Sequence, residues 1–365
     1  MILILSLFLL LPCPTVSLSY GTERQCGTDI SSLWLDVVIV ADNSISMTED
    51  FRDTVGDSVP EIFDEVRIGA MKSVPQNTRV SIVTYNSDAL VFADLDEYQS
   101  WSQLQGGINR AMRVPTTVKE SNLARGLIAA ENVLKTGREY ADRDNYKQLV
   151  LIYASTYQNT SDPTTVANRL KTNDIAIATI SLSKNATVTR MLRYLASNSA
   201  YAFQYKDYQT TKSMRSVLLD VNCYCRMGTV RFDKNGVCVQ FMNATVNYST
   251  AKLACQNLDG YLVTDYTQRK HDFLNDIASN GSYHNSLTFM SGGWYWNIPG
   301  TAVKLSTTPN DLFWSANYPQ SASINTVVTY ISGSGWQNID PFGTKSQYIC
   351  EFWTCDASHF CSSDN

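Results

Sequence analysis

The stretch that most constrains this chain is Leu35-Asp36-Val37-Val38-Ile39-Val40-Ala41-Asp42-Asn43-Ser44-Ile45-Ser46. A continuous β-prone run that stops on an acid reads as a strand buried on both faces, as in a parallel sheet. Asp42 and the two serines then stand at the strand's carboxyl end, the edge where open α/β sheets place their ligands. Asp42, Ser44 and Ser46 are hard oxygen donors at alternate positions of a tight loop, a set that suits a Mg²⁺-like ion. The same residues also suit a polar loop whose serine caps the next helix. The local spacing leaves both readings open.

The rest of the first half alternates in the same way. Met47 to Ile68 carries Val55, Val59, Ile62, Phe63 and Val66 at helical spacing, with Pro60 predicting a kink or break. Strands are expected at Arg79–Tyr85 and Ala89–Phe92, the two forming a hairpin, and at Gln148–Tyr153, Ile175–Leu182 and Ala200–Tyr205. Helices are expected at Trp101–Met112, Asn122–Leu134, Pro163–Lys171, Thr187–Ala196 and Thr210–Val221. Buried strands alternating with helices predict a doubly wound, mainly parallel α/β sheet.

The cysteines place a boundary. Nine are present, and Cys13 falls in an N-terminal apolar segment, Met1 to Pro12 followed by small residues, that reads as a signal peptide over residues 1–19. Eight remain, an even number suited to disulfides in a secreted chain. None lies between Cys26 and Cys223, so that stretch must rely on an ordinary core; the others crowd the C-terminal third. The expected plan is therefore an N-terminal segment 20–33, an α/β domain 34–222, a disulfide-bonded α+β domain 223–354 and a tail 355–365. Five sequons, at Asn159, Asn185, Asn243, Asn247 and Asn280, point to the same extracellular compartment. No later run is long and apolar enough to span a membrane. With a charge of −5 and no basic block, nucleic acid is not an expected partner.

Asp42-Asn43-Ser44-Ile45-Ser46 matches the D-x-S-x-S motif, and Val80-Ser81-Ile82-Val83-Thr84-Tyr85 matches the second strand, of the von Willebrand factor A domain; residues 34–221 resemble that family. The resemblance implies a metal-ion-dependent adhesion site in which Asp42, Ser44 and Ser46 hold Mg²⁺ with a hydroxyl from a second loop, here Ser121. The family's third loop reads T-D-G; here it reads Tyr153-Ala154-Ser155, so Ala154 stands where a second acid is expected.

From Cys223 to Trp353 the chain resembles a C-type lectin-like domain. The motifs are Ala251-Lys252-Leu253-Ala254-Cys255, Gly260-Tyr261-Leu262-Val263, Phe289-Met290-Ser291-Gly292, Trp294-Tyr295-Trp296, Phe313-Trp314-Ser315 and Tyr348-Ile349-Cys350-Glu351. This resemblance implies a Cys255–Cys350 bridge. The remaining cysteines are expected as Cys26–Cys223, closing the ends of the first domain, and as the local pairs Cys225–Cys238 and Cys355–Cys361. Where the family's Ca²⁺-dependent sugar sites carry acids, this chain has Tyr318-Pro319-Gln320 and Trp336-Gln337-Asn338. Ca²⁺ is therefore not expected there, and Tyr318, Gln320, Gln337 and Asn338 are candidates for ion-independent ligand binding.

Catalysis is not expected. The three histidines, His271, His284 and His359, lack metal-ligand spacing, and His271 is expected on a helix surface. The expected function is non-catalytic: secreted recognition or adhesion toward a protein or glycan, resembling nematode families linked with innate defence, with a Ca²⁺-dependent carbohydrate-binding lectin or a structural extracellular-matrix component as the alternatives.

Overall fold

A computed structural model describes residues 23–362 except 72, 115, 142, 159–161, 207, 306–312 and 324–325. The chain divides into two compact units. One is built from Arg24–Cys238 together with the chain from Trp353 onward; the other comprises Val239–Phe352 with Glu23. No helix among the described residues is long and apolar enough to cross a membrane.

The first unit contains β1 (Leu35–Asp42), α1 (Glu49–Ile62), β2 (Arg79–Tyr85), β3 (Ala89–Ala93), α2 (Trp101–Met112), α3 (Leu123–Ala141), β4 (Lys147–Ala154), α4 (Thr164–Thr172), β5 (Ile175–Ser181), α5 (Ala186–Leu195), β6 (Ala202–Gln204) and α6 (Tyr208–Asn222). Its sheet runs β3-β2-β1-β4-β5-β6; β3 is antiparallel and the other neighbours are parallel. Every residue of β1 is buried, as its uninterrupted apolar pattern requires. Alternation sends Val37, Ile39 and Ala41 into one core with α1, α2 and α6, and Val38 and Val40 into another with α3, α4 and α5.

Helix α1 is shorter than its apolar spacing predicts. Pro60 occupies its last turn and the helix stops at Ile62. Glu65 then takes a left-handed conformation with φ 68°, so Val66 and Ile68 reach the core from a turn rather than from a helix face. At the other end, the Thr48 side chain caps the helix by accepting from the Phe51 N–H.

A short strand, β7 (Val230–Arg231), precedes β8 (Val237–Asn247), and the Cys225–Cys238 bridge closes that stretch. The second unit continues with α7 (Tyr248–Gln256), β9 (Tyr261–Leu262), α8 (Gln268–Ile277), β10 (Tyr283–Met290), β11 (Gly293–Ile298), β12 (Thr301–Lys304), β13 (Val327–Ile331), β14 (Gly335–Ile339) and β15 (Lys345–Trp353). Its strands run β12-β11-β10-β15-β8, with β13 joining β10, β14 joining β13 and β9 joining β15. Cys255–Cys350 ties α7 to β15, while Cys26–Cys223 and Cys355–Cys361 lie in the first unit.

Asp259 adopts the left-handed conformation after α7, with φ 60°. Gly260 serves close packing: a Cβ there would stand 2.6 Å from the Phe352 ring and 2.8 Å from the Glu351 carbonyl. His271 is buried rather than on the surface. It bonds Asp265 at 2.6 Å and stacks on Phe313 at 4.0 Å, because its face of α8 is turned into the core.

Candidate functional site

The strongest constellation lies at the carboxyl edge of the first unit's sheet, where β1, β2 and β4 end. The register pairs Asp42 with Tyr85 and Ala41 with Tyr153, so the loops after β1 and β4 lie side by side. Asp42 is fully buried. One of its oxygens accepts from the Ser44 backbone N–H at 2.8 Å, and the other accepts from the Ser155 hydroxyl at 2.8 Å. Burial pushes the Asp42 carboxyl above the ordinary aspartate range, against those two hydrogen bonds.

Around this carboxylate stand further buried oxygens, none in a hydrogen bond of good geometry: the Ser44 hydroxyl, close enough to Asp42 to lower its pKa, the Ser121 hydroxyl, which acts the same way on the Tyr85 phenol, and the Asn43 amide oxygen. Burial, then the charge of nearby Asp42, raises the Tyr85 phenol well above its ordinary value and keeps it protonated. Ser46 is only partly buried. The loop bearing Ser121 is pinned twice by Gln158, whose side chain accepts from the Ser121 N–H at 2.9 Å and donates to the Lys119 carbonyl at 3.1 Å. The Val118 carbonyl accepts from the Ile45 N–H at 2.7 Å. The three loops therefore form one braced edge.

The edge brings Asp42, Ser44 and Ser121 into one buried polar cluster. Sequence reading missed Tyr85, Ser155 and Gln158. Tyr85 and Ser155 could have been found from their strand-end positions beside Asp42; Gln158 acts across a long loop and left no local signal. An unpaired buried hydroxyl costs free energy. Two such serines beside a carboxylate fit a hard, oxygen-liganded divalent cation in chemistry. Ala154, at the end of β4, offers no second carboxylate to that set.

The second unit offers a different surface. An open groove of about 440 Å³ is lined by Gln320, Ser323, Thr326, Asn338, Asp340 and Phe342, among others. The Asn338 amide is committed to the groove wall: it accepts from the Gln320 N–H at 2.8 Å and donates to the Gln320 carbonyl at 3.3 Å. Gln337 pairs with Thr329 across β14 and β13, and its side chain leaves the opposite face from Asn338. The groove therefore gathers Gln320 and Asn338 but not Tyr318 or Gln337.

Among the sequons, Asn185, Asn243 and Asn280 are exposed and Asn247 is half-buried; Asn159 lies outside the described residues. Asn185 and Asn247 use their side-chain oxygens to cap α5 and α7.

The von Willebrand factor type A domain matches residues 36–217, and the lectin C-type domain matches residues 244–352. No curated protein matches the chain. Among solved structures, proximal thread matrix protein 1 from the mussel byssus, with its MIDAS motif occupied by zinc, is 19% identical with a TM-score of 0.42; the match covers 53% of this chain and 46% of that one. The chain thus spans less than half the length of the mussel protein. The C-type carbohydrate-recognition domain of cow CD23, in the presence of an oligosaccharide, is 20% identical with a TM-score of 0.29, covering 36% of this chain and 97% of that domain.

Proposed function

Proceeding from a chain that joins a von Willebrand factor type A domain to a C-type lectin domain, we propose an extracellular recognition or adhesion protein. Its A-domain edge takes a carboxylate of a protein partner through a divalent cation. Both domains are non-catalytic binding modules, and four disulfides suit an oxidising compartment.

The observation that carries this reading is the pair of buried hydroxyls of Ser44 and Ser121 beside Asp42 and Tyr85, neither of them held in a well-formed hydrogen bond. Asp42, Ser44, Ser46 and Ser121 would hold the cation, Mg²⁺ or Mn²⁺. When bound, it supplies an open coordination position for an acidic partner group. Asp42 provides the fixed negative charge and is oriented by the Ser44 N–H and the Ser155 hydroxyl. Gln158 keeps the loop of Ser121 against that of Ser155. Isothermal titration of the whole chain with Mn²⁺ tests the reading. Saturable binding that disappears in Asp42→Ala supports it; no binding, or binding indifferent to Asp42→Ala, overturns it.

A second reading rests on the polar groove of the lectin domain. Its lining of amides and hydroxyls with one carboxylate, Asp340, and with Phe342 exposed at 71%, suits a glycan held by hydrogen bonds and ring stacking without Ca²⁺. A glycan array run with and without chelator separates the cases. Chelator-resistant binding fits the groove, and chelator-sensitive binding requires an ion that the groove's one carboxylate, Asp340, already accepting from the Phe342 and Gly343 N–H groups, does not favour.

A further inference from the structure

The third loop of the A-domain edge poses a chemical question. A divalent cation held by one carboxylate keeps much of its charge uncompensated, and the position opposite Asp42 on β4 is Ala154. The next residue is Ser155. It is 7% exposed, and its hydroxyl stands 2.8 Å from the Asp42 carboxylate. A serine hydroxyl has one proton and two lone pairs. The proton of Ser155 is given to Asp42, so both lone pairs face away from that carboxylate. Ser44, next to Asp42, and Ser121, next to Tyr85, present oxygens in the same buried cluster that no well-formed hydrogen bond occupies.

We infer that Ser155 is the third loop's ligand to the cation, a neutral oxygen in the place where a carboxylate would otherwise stand. The inference rests on the reading above that this edge holds an ion. It assigns Ser155 two simultaneous tasks. The proton fixes the orientation of Asp42, and the lone pairs join those of Ser44 and Ser121 around the ion. A second consequence follows from charge. The chain supplies one negative charge to a doubly positive ion, so an acidic partner and the ion strengthen each other's binding.

Exchange of oxygen for sulfur tests direct ligation. Mn²⁺ and Cd²⁺ are titrated by calorimetry into the whole chain and into its Ser155→Ala and Ser155→Cys variants. Thermal unfolding in chelator checks that each variant is folded. Ser155→Ala should weaken Mn²⁺ roughly tenfold, the scale on which loss of one ligating or supporting group acts. Ser155→Cys should weaken Mn²⁺ similarly and strengthen Cd²⁺, because a soft sulfur ligand selects the softer metal. Cysteine is close in size to serine, so this variant remains informative where alanine does not fold. An unchanged preference between Mn²⁺ and Cd²⁺ in Ser155→Cys, or Mn²⁺ binding in Ser155→Ala as tight as in the unaltered chain, would overturn the assignment and leave Ser155 as a latch on Asp42. Absence of Mn²⁺ binding by the unaltered chain would overturn the ion reading itself.

Discussion

At the scale of single residues, Asp42 carries a conflict between folding and binding. Its carboxyl is raised by burial, so the folded state holds the proton more tightly than the unfolded chain does. Stability from this group is fullest below the ordinary aspartate value and is lost as pH rises through the raised one. In chelator at neutral pH, Asp42→Asn should therefore be more stable than the unaltered chain. About 1 kcal/mol would raise the melting temperature by roughly 2–4 °C. The gap should narrow as pH falls, and Mn²⁺ should no longer stabilise the variant. Calorimetric melts across pH check each part; a less stable Asp42→Asn at neutral pH would mean that the two hydrogen bonds to the carboxylate outweigh its burial. His284 behaves oppositely. Burial depresses its imidazole below the ordinary value, and its two nitrogens bond the Thr329 hydroxyl at 2.6 Å and the Val246 carbonyl at 3.0 Å. Its contribution is present above the ordinary histidine value and is lost as pH falls through the depressed one. The β10–β13 pairing should therefore loosen in acid, and hydrogen exchange of Tyr283–Met290 measures it.

At the scale of elements, α8 shows how a helix can be legible in outline and opaque in function. Gln268 to Ala278 predicts the helix, and the Thr267 cap on the Lys270 N–H starts it. The sequence does not show that Lys270 is buried. Its ammonium bonds the carboxylates of Glu351 at 2.8 Å and Glu23 at 2.7 Å, and the Thr264 hydroxyl at 2.7 Å. Burial alone would depress its pKa, but the carboxylates of Glu351 and Glu23 hold it above the ordinary lysine value. Removing one partner of a buried ion pair strands the other, so Lys270→Met should cost about 3–5 kcal/mol. Urea unfolding followed by tryptophan fluorescence reads that loss; a cost under about 1 kcal/mol would mean that the three hydrogen bonds Glu351 accepts from Tyr261 and Thr264 suffice alone. The same contrast runs through both units. Strands β1, β4 and β5 are legible because burial on both faces demands unbroken apolar runs. His271 and Lys270 were not, because a polar side chain's burial is decided by partners distant in sequence, here Phe313 and Glu351. The site divides likewise: Asp42, Ser44 and Ser121 sit in or beside recognisable motifs, whereas Ser155 matters only through register with β1.

At the scale of the whole molecule, the first unit is made from two chain segments that sequence order separates. Its chain leaves at Cys238 and returns at Trp353. The returning residues do not simply trail. The Trp34 indole N–H donates to the Asp356 carbonyl at 3.0 Å, and Trp34 meets the rings of Tyr146 and Phe360 at 5.3 and 4.7 Å. Arg24 grips the Asp356 carboxylate through two nitrogens, at 2.7 and 3.1 Å, and Tyr224 exchanges backbone hydrogen bonds with Cys355. Cys355–Cys361 holds this turn in shape, while Cys26–Cys223 closes a loop worth about 5 kcal/mol in the chain-entropy picture. Residues 355–361 are thus part of the core beneath β1, at the end opposite Asp42. A chain ended after Phe352 exposes Trp34, a large buried side chain whose loss of cover costs roughly 3 kcal/mol. Hydrogen exchange on that shortened chain should show lost protection at the start of β1 and around Tyr146, with α8 and β10 unchanged. Mn²⁺ binding should weaken only as far as the sheet itself is destabilised. Protection at β1 equal to that of the full chain would mean that Cys26–Cys223 alone holds the unit closed.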